Sequence, residues 1–148
     1  MKHEVQTKWT GQMSFDSVVD GHTITMDANP EVGGQDKGPT PKPMLLTSLS
    51  GCTGMDIASL LKKMRVGVDA ITIDVTGELT DEHPKHYETI HIIYRFGGAE
   101  LNRAKIEKAV TLSQDRYCGV SYMLGQVAKL TYEIVYEDEL VNQSAITD

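Results

Sequence analysis

At 148 residues, with 40% hydrophobic and 24% charged residues, the chain has the size and composition of one domain with a sizeable core. Its net charge of −7 argues against nucleic acid as a partner, because phosphate binding needs a basic surface. No apolar run approaches the ~20 residues that cross a bilayer, and the N-terminal MKHEVQTKWT lacks a hydrophobic signal core, so no membrane association is expected and the cytoplasm is the expected compartment.

Residues 4–27 alternate in short β-like pieces. Val5, Thr7 and Trp9 share one strand face, Phe15 to Val19 follows, and Asp20-Gly21 is a hairpin signal before Thr23 to Met26. Residues 28–40 (ANPEVGGQDKGPT) read as a loop. Thr40 and Pro41 then open a helix that should run to about Arg65, with Gly67 as its stop signal and Lys62, Lys63 and Arg65 at its basic end. Met44, Leu45, Leu46 and Leu49 lead into a waist of poor helix formers, Ser50, Gly51, Cys52, Thr53 and Gly54, and Ile57, Leu60, Leu61 and Met64 follow. Apolar residues nearly all round predict a buried helix, and the small waist lets a backbone or a ligand approach.

Ile71, Ile73, Val75 and Leu79 alternate with polar residues, and Ile90, Ile92, Tyr94 and Phe96 do the same after the loop TDEHPKH. This pattern predicts an antiparallel hairpin with one packed face. A helical stripe of Ile106, Ala109, Val110, Ser113 and Tyr117 follows, interrupted at Cys118-Gly119, with Val120, Met123, Leu124 and Val127 as a second piece. Leu130, Tyr132, Ile134 and Tyr136 mark a last strand, and the polar tail 138–148 is expected to fray. The order is βββ–α–ββ–α(α)–β in a single α+β domain spanning 1–148. A helix apolar on all sides needs more cover than one sheet provides, which predicts a homodimer.

The chemistry rests on two thiols. Cys52 lies deep in its helix, away from the positive N-terminal end, and Asp56 at i+4 shares its face, so a reactive Cys52 needs a cation from elsewhere. A buried, inert cysteine is the plain alternative. Cys118 lies at a helix break with Arg116 nearby, features that favour thiolate character. An Asp56–Arg116 ion pair would draw the two cysteine segments together. His83, His86 and His91 have no cysteine or carboxylate spacing to make a metal site, and Gly33-Gly34 lacks the context of a phosphate loop, so neither a metal nor a cofactor is expected.

The segments GPTPKPMLLTSLSGCTGMD (38–56) and LSQDRYCGVSYML (112–124) resemble the two cysteine helices of the OsmC/Ohr family, the osmotically inducible and organic hydroperoxide resistance proteins. KWTG, TMDANP and LTYEIVYE fit the same family, and Gly51-Cys52 with Asp56 is similar to its less studied OsmC-like branch. The resemblance implies an intertwined α+β homodimer, with an antiparallel sheet around central cysteine helices and sites at the subunit interface. It implies Cys52 as peroxidatic thiol towards organic hydroperoxides, Cys118 as the partner that closes a disulfide, and a dithiol reductant of lipoyl type. The family's peroxidases also use an N-terminal arginine and a glutamate at the start of the first helix. This chain has no arginine before Arg65, and Lys42 and Pro43 stand where the glutamate is expected. Asp56 and Arg116 are the candidate substitutes. Two other readings stay open: a small-molecule or thiol-reactive binding protein with little turnover, and a structural dimer with unreactive cysteines.

Overall fold

A computed structural model describes residues 1–137, and the expected fraying of 138–148 lies outside them. Strands β1 (Gln6–Gly11), β2 (Ser14–Val19) and β3 (His22–Met26) precede helix α1 (Pro41–Lys63). Strands β4 (Ala70–Leu79) and β5 (Tyr87–Gly97), helices α2 (Arg103–Leu112) and α3 (Gly119–Gly125), and strand β6 (Lys129–Glu137) complete an α+β fold. The chain separates into two compact units, Met1–Leu45 and the remainder from Leu46.

The first unit is an antiparallel meander in the order β1-β2-β3. Asp20 and Gly21 both take positive φ (51° and 79°), as the tight hairpin between β2 and β3 requires. The loop after β3 is organised rather than irregular. The Asp27 carboxylate accepts N–H bonds from Ala28 (2.7 Å), Gln35 (3.3 Å) and Lys37 (3.1 Å). Glycine is required at Gly34 and Gly38, because a Cβ there would stand 1.8 Å from the Ala28 carbonyl oxygen and 2.2 Å from that of Thr25. Trp9 and Phe15, paired across β1 and β2, stay 65% and 41% exposed.

In the second unit β5 is the central strand, antiparallel to β4 and parallel to β6. The expected single antiparallel sheet is therefore two three-stranded sheets, the second of them mixed. Strand β6 is reached through α2 and α3, and such a crossover can return the chain in the parallel sense. Alternation along β5 buries Ile90, Ile92, Tyr94 and Phe96 on one face, each burial worth about 1.5–3 kcal/mol for an aliphatic or Phe side chain. Ile106, Ala109 and Val110 of α2 complete the core from the helical side.

Helix α1 corrects two expectations. Its buried residues are Leu49, Thr53, Ile57 and Leu61, one stripe at four-residue spacing, while Met55 is 76% exposed. Within this chain it is thus a one-sided core helix rather than a buried one. By length and composition it is also apolar enough to cross a membrane, which the uninterrupted-run criterion overlooked. Its end differs too. Arg65, at φ 59°, takes the left-handed position ahead of Gly67, with Val66 N–H donating to Leu61 O (2.9 Å) and Arg65 N–H to Lys62 O (3.1 Å). That pair of bonds is a Schellman stop. Of the waist glycines, Gly54 has its Cβ space taken by Ile73 (3.0 Å), whereas Gly51 faces open space.

Candidate functional site

The second unit brings both cysteines together. Helix α2 ends at Leu112, and one π-helical turn, Ser113–Tyr117, follows before Cys118 turns extended and caps α3. The wide turn directs Ser113 into the core and leaves Tyr117 half exposed, so the expected α2 stripe ends at Ser113 rather than at Tyr117. Such insertions are concentrated at functional sites. Cys118 N–H donates to Ser113 O at 2.8 Å, and Ser121 N–H donates to Cys118 Sγ at 3.3 Å. The Ser121 hydroxyl faces the same sulfur without reaching hydrogen-bond geometry, and is buried with no partner among the described residues.

Cys52 is half-buried and Cys118 is 3% exposed; neither is in a disulfide. The two sulfurs and a carboxylate oxygen of Asp56 all lie within 4.8 Å of one another. A pocket of about 420 Å³ opens beside Cys118, lined among others by Arg116, Tyr117, Tyr122 and Tyr132. Burial pushes the Cys118 thiol up, opposed by Ser121 and reinforced by Cys52. The thiolate character expected at Cys118 from the helix break is thus outweighed by desolvation.

The expected Asp56–Arg116 ion pair is not formed. Arg116 lies over the Tyr117 ring, 5.6 Å from guanidinium carbon to centroid, and Asp56 Oδ2 instead accepts from Ser113 Oγ at 3.0 Å. His83, His86 and His91 belong to no group of three or more metal-ligating side chains among the described residues, although His91 Nε2 lies 3.8 Å from Glu133 Oε1.

A buried hydrogen-bond chain supports Asp56, and its other members escaped sequence reasoning. Gln114 Nε2 donates to Tyr94 OH; Tyr94 OH and Thr53 Oγ1 are 2.7 Å apart, Thr53 Oγ1 and Ser113 Oγ 2.8 Å. A carboxylate only accepts and an amide NH2 only donates, and each hydroxyl has one proton. The chain therefore runs one way, from Gln114 through Tyr94, Thr53 and Ser113 to Asp56. Burial raises the Tyr94 phenol above its ordinary value, with its hydrogen-bond contacts to Thr53 and Gln114 opposing. Thr53 and Ser113 on otherwise apolar stripes were the readable signal, since polar groups on core faces need partners.

Residues 34–133 match the family described as OsmC-like protein. The chain is 33% identical over 135 residues to Protein YhfA of Escherichia coli K12, covering 89% of this chain and 98% of that protein. It is similar to the crystal structure of a hypothetical protein from Aquifex aeolicus at 32% identity, TM-score 0.78, covering 93% of this chain and 98% of the other. The fold also extends to the Organic Hydroperoxide Resistance Protein OhrB of Bacillus subtilis, at 15% identity and TM-score 0.64, covering 90% and 98%. With the family matched over most of its length and a relative this similar across nearly its whole length, the chain belongs to the OsmC-like protein family.

Proposed function

We propose that this protein is a cytoplasmic thiol peroxidase that reduces organic hydroperoxides. The observation that carries the reading is the proximity of the Cys52 and Cys118 sulfurs, within 4.8 Å, in a family whose fold relatives include organic hydroperoxide resistance proteins. Cys52, the more exposed thiol, meets the peroxide first. Its thiolate attacks the terminal oxygen of RO–OH; the O–O bond breaks, Cys52 becomes a sulfenic acid, and the alkoxide takes a proton to leave as ROH. The Cys118 thiol then gives up its proton and its sulfur attacks the sulfenic sulfur; the S–S bond forms, the S–O bond breaks, and the departing hydroxide takes that proton to leave as water. An external dithiol, of lipoyl type by family resemblance, reduces the disulfide by two electrons. In this reading Asp56, which accepts a hydrogen bond from Ser113, takes the thiol proton and returns it to the leaving oxygen.

We further propose that the working form is a homodimer. A three-stranded sheet needs an apolar face packed on something to be stable, and Trp9 and Phe15 on the meander, with Met55, Tyr122, Met123 and Val127 elsewhere, are exposed. Light scattering behind a sizing column reads the mass directly.

The test of the chemistry is intact mass after one equivalent of cumene hydroperoxide. Wild type should lose two hydrogens, Cys118→Ser should gain one oxygen, and Cys52→Ser should not change. Unchanged mass in all three would sink the reading, and oxidation taking hours would favour a binding protein.

A further inference from the structure

Cys52 Sγ, Cys118 Sγ and an Asp56 carboxylate oxygen form a triangle with no side longer than 4.8 Å. We propose that this triangle is a binding site for a thiophilic divalent cation, zinc in the first instance, held by two thiolates and one carboxylate with a fourth position open. The donor set is one zinc takes readily, and three protein ligands with an open position is a familiar pattern for an accessible zinc.

The geometry favours the ion. Bond lengths of about 2.3 Å to sulfur and about 2.0–2.2 Å to oxygen place neighbouring donors of a tetrahedron roughly 3.5–3.8 Å apart. Closing the triangle to that size moves each donor by an ångström or less. A disulfide asks far more, since its sulfurs must reach about 2.05 Å. Two of the donors, Cys52 and Asp56, are one turn apart on the same face of α1, and the third is fixed at the start of α3.

The surroundings hold the donors in place. Ser113 Oγ donates to Asp56 Oδ2 at 3.0 Å, which orients the carboxylate and leaves its other oxygen to bind. Ser121 N–H points at Cys118 Sγ, 3.3 Å away. Outer partners of this kind are worth about 10–100-fold in metal affinity. Asp56 makes no ion pair with a protein cation among the described residues, so the charge a metal would answer is not already met. Cys52 and Asp56 are only half-buried, which provides a path of entry.

On binding, each thiol gives its proton to solvent and no electron moves. A bound ion occupies both thiolates and so withholds them from electrophiles. Oxidation of the pair to a disulfide removes two of three ligands and expels the ion. The site stands independently of hydroperoxide turnover.

The test uses the reduced full-length protein without any peroxide. Zinc is titrated in competition with a chromophoric chelator, for wild type, Cys52→Ser, Cys118→Ser and Asp56→Asn, with Asp115→Asn as control. Each variant's urea midpoint reports whether it folds. One zinc per chain is expected in wild type and in Asp115→Asn. Each cysteine variant should weaken binding by more than the ~10–100-fold that loss of an outer partner costs, and Asp56→Asn by at least about tenfold. In wild type, stoichiometric zinc should also slow Cys52 modification by a thiol reagent, with EDTA restoring it, a readout that needs no variant to fold. No stoichiometric zinc, binding that survives Cys52→Ser, or binding indifferent to Asp56→Asn would each overturn the proposal.

Discussion

Replacing Thr53 by valine interrupts the hydrogen-bond chain at its middle without opening a cavity. Thr53 is fully buried, and its hydroxyl lies 2.7 Å from Tyr94 OH and 2.8 Å from Ser113 Oγ. Valine has nearly the same shape, so packing is kept while these two bonds go, together with the longer one that Gln114 Nε2 donates to Thr53 Oγ1 at 3.4 Å. Ser113 still donates to Asp56, and Gln114 still donates to Tyr94. What remains is the Tyr94 O–H, a buried donor with no acceptor, and leaving such a group unpaired costs about 1–3 kcal/mol. At roughly 2 kcal/mol the folding equilibrium falls about 30-fold, and the urea midpoint should drop by about 1 M at an m-value near 2 kcal/mol/M. The assay is urea denaturation at fixed protein concentration. Tyr94→Phe should also destabilise, but the double variant removes the stranded donor together with its acceptor. It should therefore cost less than the sum of the singles, by about 1 kcal/mol or more. Strict additivity, or a Thr53→Val midpoint equal to wild type, would refute a connected chain.

Three other outcomes follow from the same geometry. Arg65 bears the left-handed position of the α1 stop while exposed, so Arg65→Gly should stabilise by about 1 kcal/mol, seen as a higher urea midpoint. The N–H of Ala28, first, and those of Lys37 and Gln35 hold the Asp27 carboxyl below its usual range. A lowered folded-state value contributes stability above the unfolded carboxylate pKa and loses it as pH falls through the folded value. The protection of the Gln35 and Lys37 amides relative to their intrinsic exchange rates should accordingly fall under acid, and Asp27→Asn should show the low protection already at neutral pH. At the other extreme, burial raises the Cys118 thiol and the Tyr94 phenol, and raises Tyr136 to about 12. The unfolded chain loses these protons first, so stability is whole below the ordinary thiol and phenol values and falls as pH rises past them. Urea midpoints at neutral pH and at pH 10 should differ in that direction, and Tyr136→Phe should reduce the difference.

Much was determined by the sequence itself, because local periodicity suffices for it. The alternation Ile90, Ile92, Tyr94, Phe96 marks a strand with one packed face, Asp20-Gly21 marks a hairpin, and Pro41 opens a helix; the structure has each. Cys52 with Asp56 at i+4 is likewise a local fact. Only the tertiary structure decided what depends on long-range pairing. The parallel joining of β6 to β5 is a matter of which strand edge receives a returning chain, and its own alternation is the same in either sense. The stop at Arg65 depended on the chain turning where packing demanded, against glycine's intrinsic preference two residues on. Arg116 turned towards Tyr117 rather than Asp56 because the π turn at 113–117 shifts the register of everything after Leu112. That same turn sets Ser113 beside Asp56 and Cys118 beside Cys52, across 66 residues of sequence (118 − 52), a proximity no local pattern encodes.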